Sequence, residues 1–178
     1  MPPRLHRYYL RMERTLASTV LHIVKTRLTT DYPGQIDICL NALDEEQLWW
    51  RPNERSNSVA NLVIHLAGSN RYYLEHVLGG AADTRNRDAE FAARGGRSKT
   101  DLQALWAASV ASTRRALEGL DPDRLMETTA RSGKESTYAQ ILLHVSHHNG
   151  VHMGQIVYLA KQLNPAAIDD IWMKLRSR

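Results

Sequence analysis

The chain carries a single cysteine, Cys39, among 178 residues. One thiol excludes an internal disulfide and is too few for a thiolate-based zinc site. No stretch approaches 18 uninterrupted apolar residues, so no transmembrane helix is expected. The N-terminal MPPRLHRYYLRMERTL lacks the apolar run of a signal peptide, and the expected location is the cytoplasm. Internal repeats, low-complexity segments and convincing period-two strands are also missing, which argues against repeat and all-β architectures.

The composition, 43% hydrophobic and 24% charged, is that of an ordinary globular protein. The length fits one domain over residues 1–178, with a core at about 20–163, an N-terminal helical extension and a short C-terminal tail. The formal charge of +4 and the pI of about 9.4 raise the question of nucleic acid. The basic residues, however, are scattered in short pieces such as TRNRD, RRALE and KLRSR, mostly interleaved with acids. A contiguous basic stripe is absent, and solvated surface charge is the better reading.

Turn signals divide the chain into long helical pieces. The first spans about Thr15 to Leu43, with Ile36, Cys39, Leu40 and Leu43 at helical spacing and an interruption at Pro33–Gly34. Either one helix kinks there or a second begins with Pro33 in its first turn. DEEQLWWRPNERSN reads as a loop whose Trp49–Trp50 pair caps a core or lines a pocket. The second helix starts near Ser56–Ser58 and stops at Gly79–Gly80. A polar connection of about 20 residues follows, long for a helix bundle and so a crossover or part of a site. The third helix opens at Ser98, with Asp101 as an unusual capping partner, and runs to about Gly119. TTARSGKES reads as a loop or small hairpin. The fourth helix runs from near Ser136 to Leu163 and ends before Asn164–Pro165, and a short helix closes the tail. The pattern predicts an all-α four-helix bundle with a long connection between its second and third helices.

Four of the eight histidines fall in HVSHHNGVHMGQ. With His144 as zero on a helical wheel, His148 lies near 40°, His152 near 80° and Gln155 near 20°, while His147 points about 60° the other way. His148 and His152 therefore stand one turn apart at the edge of the core-facing stripe, the i, i+4 pairing that lets two imidazoles reach one ion. A catalytic site of this kind needs a third protein ligand. His65, embedded in NLVIHLAGS, is a histidine in an apolar run that something must satisfy. Asn61, Ser69 and Tyr72 share its face, and Gly68 and Gly154 leave room for close approach. A lone buried histidine is more often an ordinary hydrogen-bonded core residue, and i, i+4 histidines also occur on plain surfaces. His6, His22 and His76 carry no pattern, and His144 is a candidate for orienting a ligand from behind.

Taken together, NSVANLVIHLAGSNRYYLEHVLGG, RNRDAEF and ILLHVSHHNGVHMGQIVYLAKQL resemble the DinB-like superfamily, and within it a bacterial branch of unknown function. The similarity covers about residues 20–163. Its most specific parts are WWRPNERSNSVANLVIHLAG and the H-x-x-x-H-x-G-Q-I of His148 to Ile156. The resemblance implies a four-helix bundle that binds a divalent metal, nickel or zinc, through His65, His148 and His152. It also implies relatives that are transferases or isomerases using a small thiol such as bacillithiol, mycothiol or glutathione, and a homodimer. Relatives often carry Glu where this chain has His147, a departure that falls outside the ligand face.

Two classes of function follow. The first is a metal-dependent transferase or hydrolase that activates a thiol or water, with Gln155, Asn61 and Tyr72 orienting ligands or substrate. In it Trp49–Trp50 and RNRDAEF shape the entrance, and Arg87 either holds an anionic thiol or pairs with Glu90. The second is a non-enzymatic metal-binding module, structural or sensory, in which His144 or His147 completes four ligands.

Overall fold

A computed structural model of the chain describes residues 15–131, 133–168 and 171. The expected N-terminal extension, with His6, and the end of the C-terminal tail lie outside them.

Helix α1 begins at Leu16, where the Thr15 side chain caps the Ser18 N–H. It runs as Leu16–Thr26, passes through a π-helical stretch, Arg27–Asp31, and continues as Tyr32–Ala42. Residues at both junctions keep right-handed helical dihedrals, so the helix is continuous. Pro33 lacks an N–H, and the ladder just ahead of it is widened: the Tyr32 N–H reaches the Arg27 carbonyl, five residues back. Of the two expectations at Pro33–Gly34, the interrupted single helix is the one found.

Where a loop was expected, Glu45–Trp49 forms a short helix, α2. The signal lay in Asp44 and Gln47, which cap each other reciprocally at 2.8 and 3.1 Å. Helix α3 runs Val59–Asn70 and continues π-helically as Arg71–Val77. Ser58 caps it, in a box closed by Asn61. It ends as expected at the glycines: Gly80, at φ +73°, turns its N–H to the His76 carbonyl, and Ala81 reaches back to Glu75. The long connection holds α4, Arg87–Ala92. Helix α5, Lys99–Glu118, is capped by Ser98, and Asp101 does complete the box. After a 3₁₀ turn at Pro122–Met126 comes an antiparallel hairpin, β1 Thr128–Arg131 and β2 Lys134–Thr137, with Thr128 opposite Thr137. Helix α6, Tyr138–Leu163, is capped by Thr137 and Gln140, and α7 is Pro165–Ile168. The described residues are thus mostly helical, as expected, with one short hairpin where a loop or small hairpin was expected.

Helix α3 packs on α5 and α6, and α1 packs on α6 and α5. Ile36, Leu40, Leu62, Leu66, Trp106 and Ile156 lie at the centre of one apolar cluster. Leu21, Val24, Leu28, Ile141 and Leu142 form a second. Between them the buried amides of Asn70 and Asn149 exchange hydrogen bonds of 3.3 and 2.7 Å. A buried amide left unpaired costs about 1–3 kcal/mol, so this pair fixes one register of α3 against α6. Among the described residues no helix is long and apolar enough to cross a membrane.

Candidate metal centre

That register brings His65 of α3 against His148 and His152 of α6. The Nε2 atoms of His65 and His152 lie 3.0 and 3.1 Å from Nε2 of His148. One ligand nitrogen from each falls within 4.8 Å of the other two, the single such cluster of potential metal ligands among the described residues. His65 is buried and the other two are half-buried.

The far side of each ring is occupied. His65 Nδ1 is 2.9 Å from Glu90 Oε2. An ionised carboxylate only accepts, so this contact favours the proton on Nδ1 and a bare lone pair on Nε2; Arg85 Nη2, 3.1 Å from the same nitrogen, donates to Glu90 at 2.8 Å. His152 Nδ1 donates to Gln155 Oε1 at 2.7 Å with the same consequence. Ser69 Oγ is 3.5 Å from His148 Nδ1. Burial, reinforced by His152, His65, His144 and Arg85, pushes His148 down to about 3. Burial likewise lowers His152, against the opposing pull of Gln155. Burial thus works against a proton on His148 and on His152. Lone pairs converge there, and a cation is what such a set satisfies.

Glu90 is the residue that sequence reasoning missed as a support of the site. Burial alone would raise its carboxyl, but hydrogen bonds from Arg85 and His65 outweigh burial and hold it low. Arg85 grips it through Nε and Nη2, both at 2.8 Å. Gly68 makes the approach possible: a Cβ there would stand 2.9 Å from Glu90 Cδ. The glycine expected to give room at the second position, Gly154, has nothing within 4 Å and serves no close approach. Asn61 tethers the segment that carries Glu90, donating to the carbonyls of Glu90 and Ala93 at 2.9 and 3.1 Å.

An open cleft of about 540 Å³ leads to the three histidines, lined also by Tyr73, Arg85, Arg87, Phe91 and His144. His144 stacks on His148 at 5.8 Å, beside the ligands and outside their cluster. Burial, then Arg131 and His147, lowers its pKa. Arg87 lines the cleft as expected, with its guanidinium 4.9 Å from the Phe91 ring. It is not the partner of Glu90, a role that falls to Arg85.

Three other expectations place differently. Tyr72 contacts Tyr73, His76 and Arg85 and is not part of the lining. From Arg71 the helix is π-helical, each turn takes an extra residue, and the face of His65 and Ser69 passes to Tyr73. The amide of Asn61 is fully engaged with Ser58, Arg51, Glu90 and Ala93, which leaves nothing for a ligand. Trp49 packs on the core and donates to the Arg97 carbonyl at 3.0 Å, and neither it nor Trp50 lines the cleft. His147 lies with Arg27, Tyr32 and Gly150 in a different depression, as the wheel predicted. Cys39 is buried and unpaired.

Over residues 15–175 the chain matches the family described as protein of unknown function (DUF1572). Among solved structures it is similar to that of a DinB-like protein, YjoA, from Bacillus subtilis. The TM-score is 0.62 and the identity 18%, over 79% of this chain and 90% of that one. No curated protein matches the chain.

Proposed function

We propose that the chain, which belongs to the DUF1572 family, is a DinB-like metal-dependent enzyme of transferase or hydrolase type. The observation that carries this reading is the convergence of three ligand nitrogens whose opposite ring atoms are already engaged, on the wall of an open cleft. Nitrogens held about 2.0–2.1 Å from one ion stand about 2.8–3.0 Å apart at octahedral angles and about 3.3–3.4 Å apart at tetrahedral ones. Two of the three separations, 3.0 and 3.1 Å, fall within these limits. His65, His148 and His152 would hold the ion, and imidazole suits nickel or zinc.

A divalent ion held by neutral imidazoles supplies its full charge to a bound thiol or water, lowering its pKa towards neutrality. The protein supplies the rest. Glu90 and Gln155 hold the proton of His65 and His152 on Nδ1 and aim both rings. Arg87 and Phe91 offer a cation and an aromatic face at the rim, fitted to a small anionic thiol of the bacillithiol, mycothiol or glutathione kind. His144 and Tyr73 form the facing wall. The reading treats residues 1–178 as one domain and the four long helices as a four-helix bundle. It also takes the protein to be cytoplasmic, dimeric and without a nucleic-acid partner. A non-enzymatic module with a closed structural site needs four protein ligands. Neither His144 nor His147 joins the cluster, and this favours the enzyme.

The test is turnover of an electrophile panel with small thiols, by protein loaded with nickel or zinc and by chelator-stripped protein. Turnover that needs the ion and is lost in His152→Ala is expected. Dependence on thiol marks a transferase, and its absence marks a hydrolase. Turnover indifferent to chelation would overturn the reading.

A further inference from the structure

Helix α4 presents two faces. Arg87 and Phe91 look into the histidine cleft, whereas Asn86, Ala89 and Ala93 line a separate groove of about 700 Å³ between α3 and α5. Its volume lies within the range of about 300–1,000 Å³ typical of small-molecule sites. Ile64, Ala67, Leu105 and Ala108 provide apolar lining. Arg71, Arg97 and Arg115 also line it, and among the described residues none of the three forms a direct ion pair, although the Arg97 charge reaches the Asp101 carboxylate. Of the two acids in the lining, Glu75 is engaged by the Ser112 hydroxyl and Glu90 by Arg85 and His65. Ser109 Oγ, also in the lining, is buried and has no hydrogen-bond partner.

Three exposed guanidiniums beside an apolar lining suit an anion whose body covers that apolar surface.

We propose that this groove is a second ligand site for an amphipathic carboxylate. The carboxylate meets Arg97 and Arg115, and the apolar body lies along Ile64, Leu105 and Ala108. Glu90 lines the groove while its carboxylate holds His65, so the two sites share one wall without sharing a ligand.

The experiment is calorimetric titration of the full chain with decanoate, beside decan-1-ol and acetate as probes of body and charge alone. Saturable one-site binding of decanoate is expected, with both controls at least about tenfold weaker. The double variant Arg97→Glu/Arg115→Glu should weaken decanoate by about tenfold or more. Ala108→Phe, which fills the groove and leaves every charge in place, should do the same. Lys161→Glu, an exposed residue of α6 that lines neither the groove nor the histidine cleft, should bind as the parent does. Circular dichroism confirms that each variant folds. Binding of decan-1-ol as tight as that of decanoate, undiminished binding in the double variant, or no saturable heat would overturn the proposal. Metal content of the double variant stays at the parent level, so failure here is separable from failure of the metal reading.

Discussion

Glu90 Oε2 lies 2.9 Å from Nδ1 of His65, and the same carboxylate is gripped twice by Arg85. This one contact connects a polar connection without long helices to the chemistry on α3. It favours the proton on that nitrogen of His65 and leaves the other free to bind.

Replacing the carboxylate isosterically tests that role. Glu90→Gln keeps the shape but loses the ionised acceptor and leaves Arg85 unpaired. Outer partners of metal-bound histidines are worth about 10–100-fold in metal affinity. A loss in that range is expected by competition with a chromophoric chelator, with His147→Gln as the neutral comparison.

The two small residues flanking the site should respond oppositely. Gly68→Ala places a methyl 2.9 Å from Glu90 Cδ and should cost about 1–3 kcal/mol as the wall shifts, with a matching loss of metal affinity. Gly154→Ala meets nothing within 4 Å and sits inside α6. It should leave stability unchanged or raise it by up to about 1 kcal/mol. Thermal melts of the two variants decide it.

Asn61 should prove structural. Its side chain closes the α3 capping box and tethers the carbonyls of Glu90 and Ala93. Asn61→Ala is expected to cost about 1–3 kcal/mol, from the opened capping box and the Glu90 carbonyl left without its Asn61 donor. Denaturant unfolding measures it. Stability equal to that of the parent would contradict the assignment.

The thiol of Cys39 is pushed by burial from 9.0 to about 12. In the unfolded chain it ionises from pH 9 upward, so the unfolded state loses its proton first. The contribution to stability is complete below pH 9 and is lost as the pH rises from 9 towards 12. Near neutral pH, labelling by a disulfide reagent should follow global unfolding, and prompt labelling of the native chain would contradict this burial.

Much of the site was legible because it is helical and local. His148 and His152 share a face by spacing alone, and His147 was correctly set aside. Ser58, Ser98 and the Gly79–Gly80 stop marked real boundaries. What escaped depended on contacts distant in sequence or on local departures from the α-helix. No periodicity links Glu90 to His65, 25 residues away, and spacing favoured Arg87 over Arg85 as its partner. Tyr73 replaced Tyr72 because a wheel of 100° per residue does not hold through a π-helical turn. The helix at Glu45–Trp49 had a legible signal, Asp44 and Gln47, masked by the two tryptophans and Pro52 that follow. The strands at Thr128–Thr137 are too short for alternation to show.

The central claim is that His65, His148 and His152 together hold one divalent ion. Elemental analysis after dialysis against nickel or zinc tests it most directly, on the parent chain and on His65→Ala, His148→Ala, His152→Ala and His147→Ala. One ion per chain is expected in the parent and in His147→Ala, with loss from the other three. Equal metal in the parent and all four variants would contradict it.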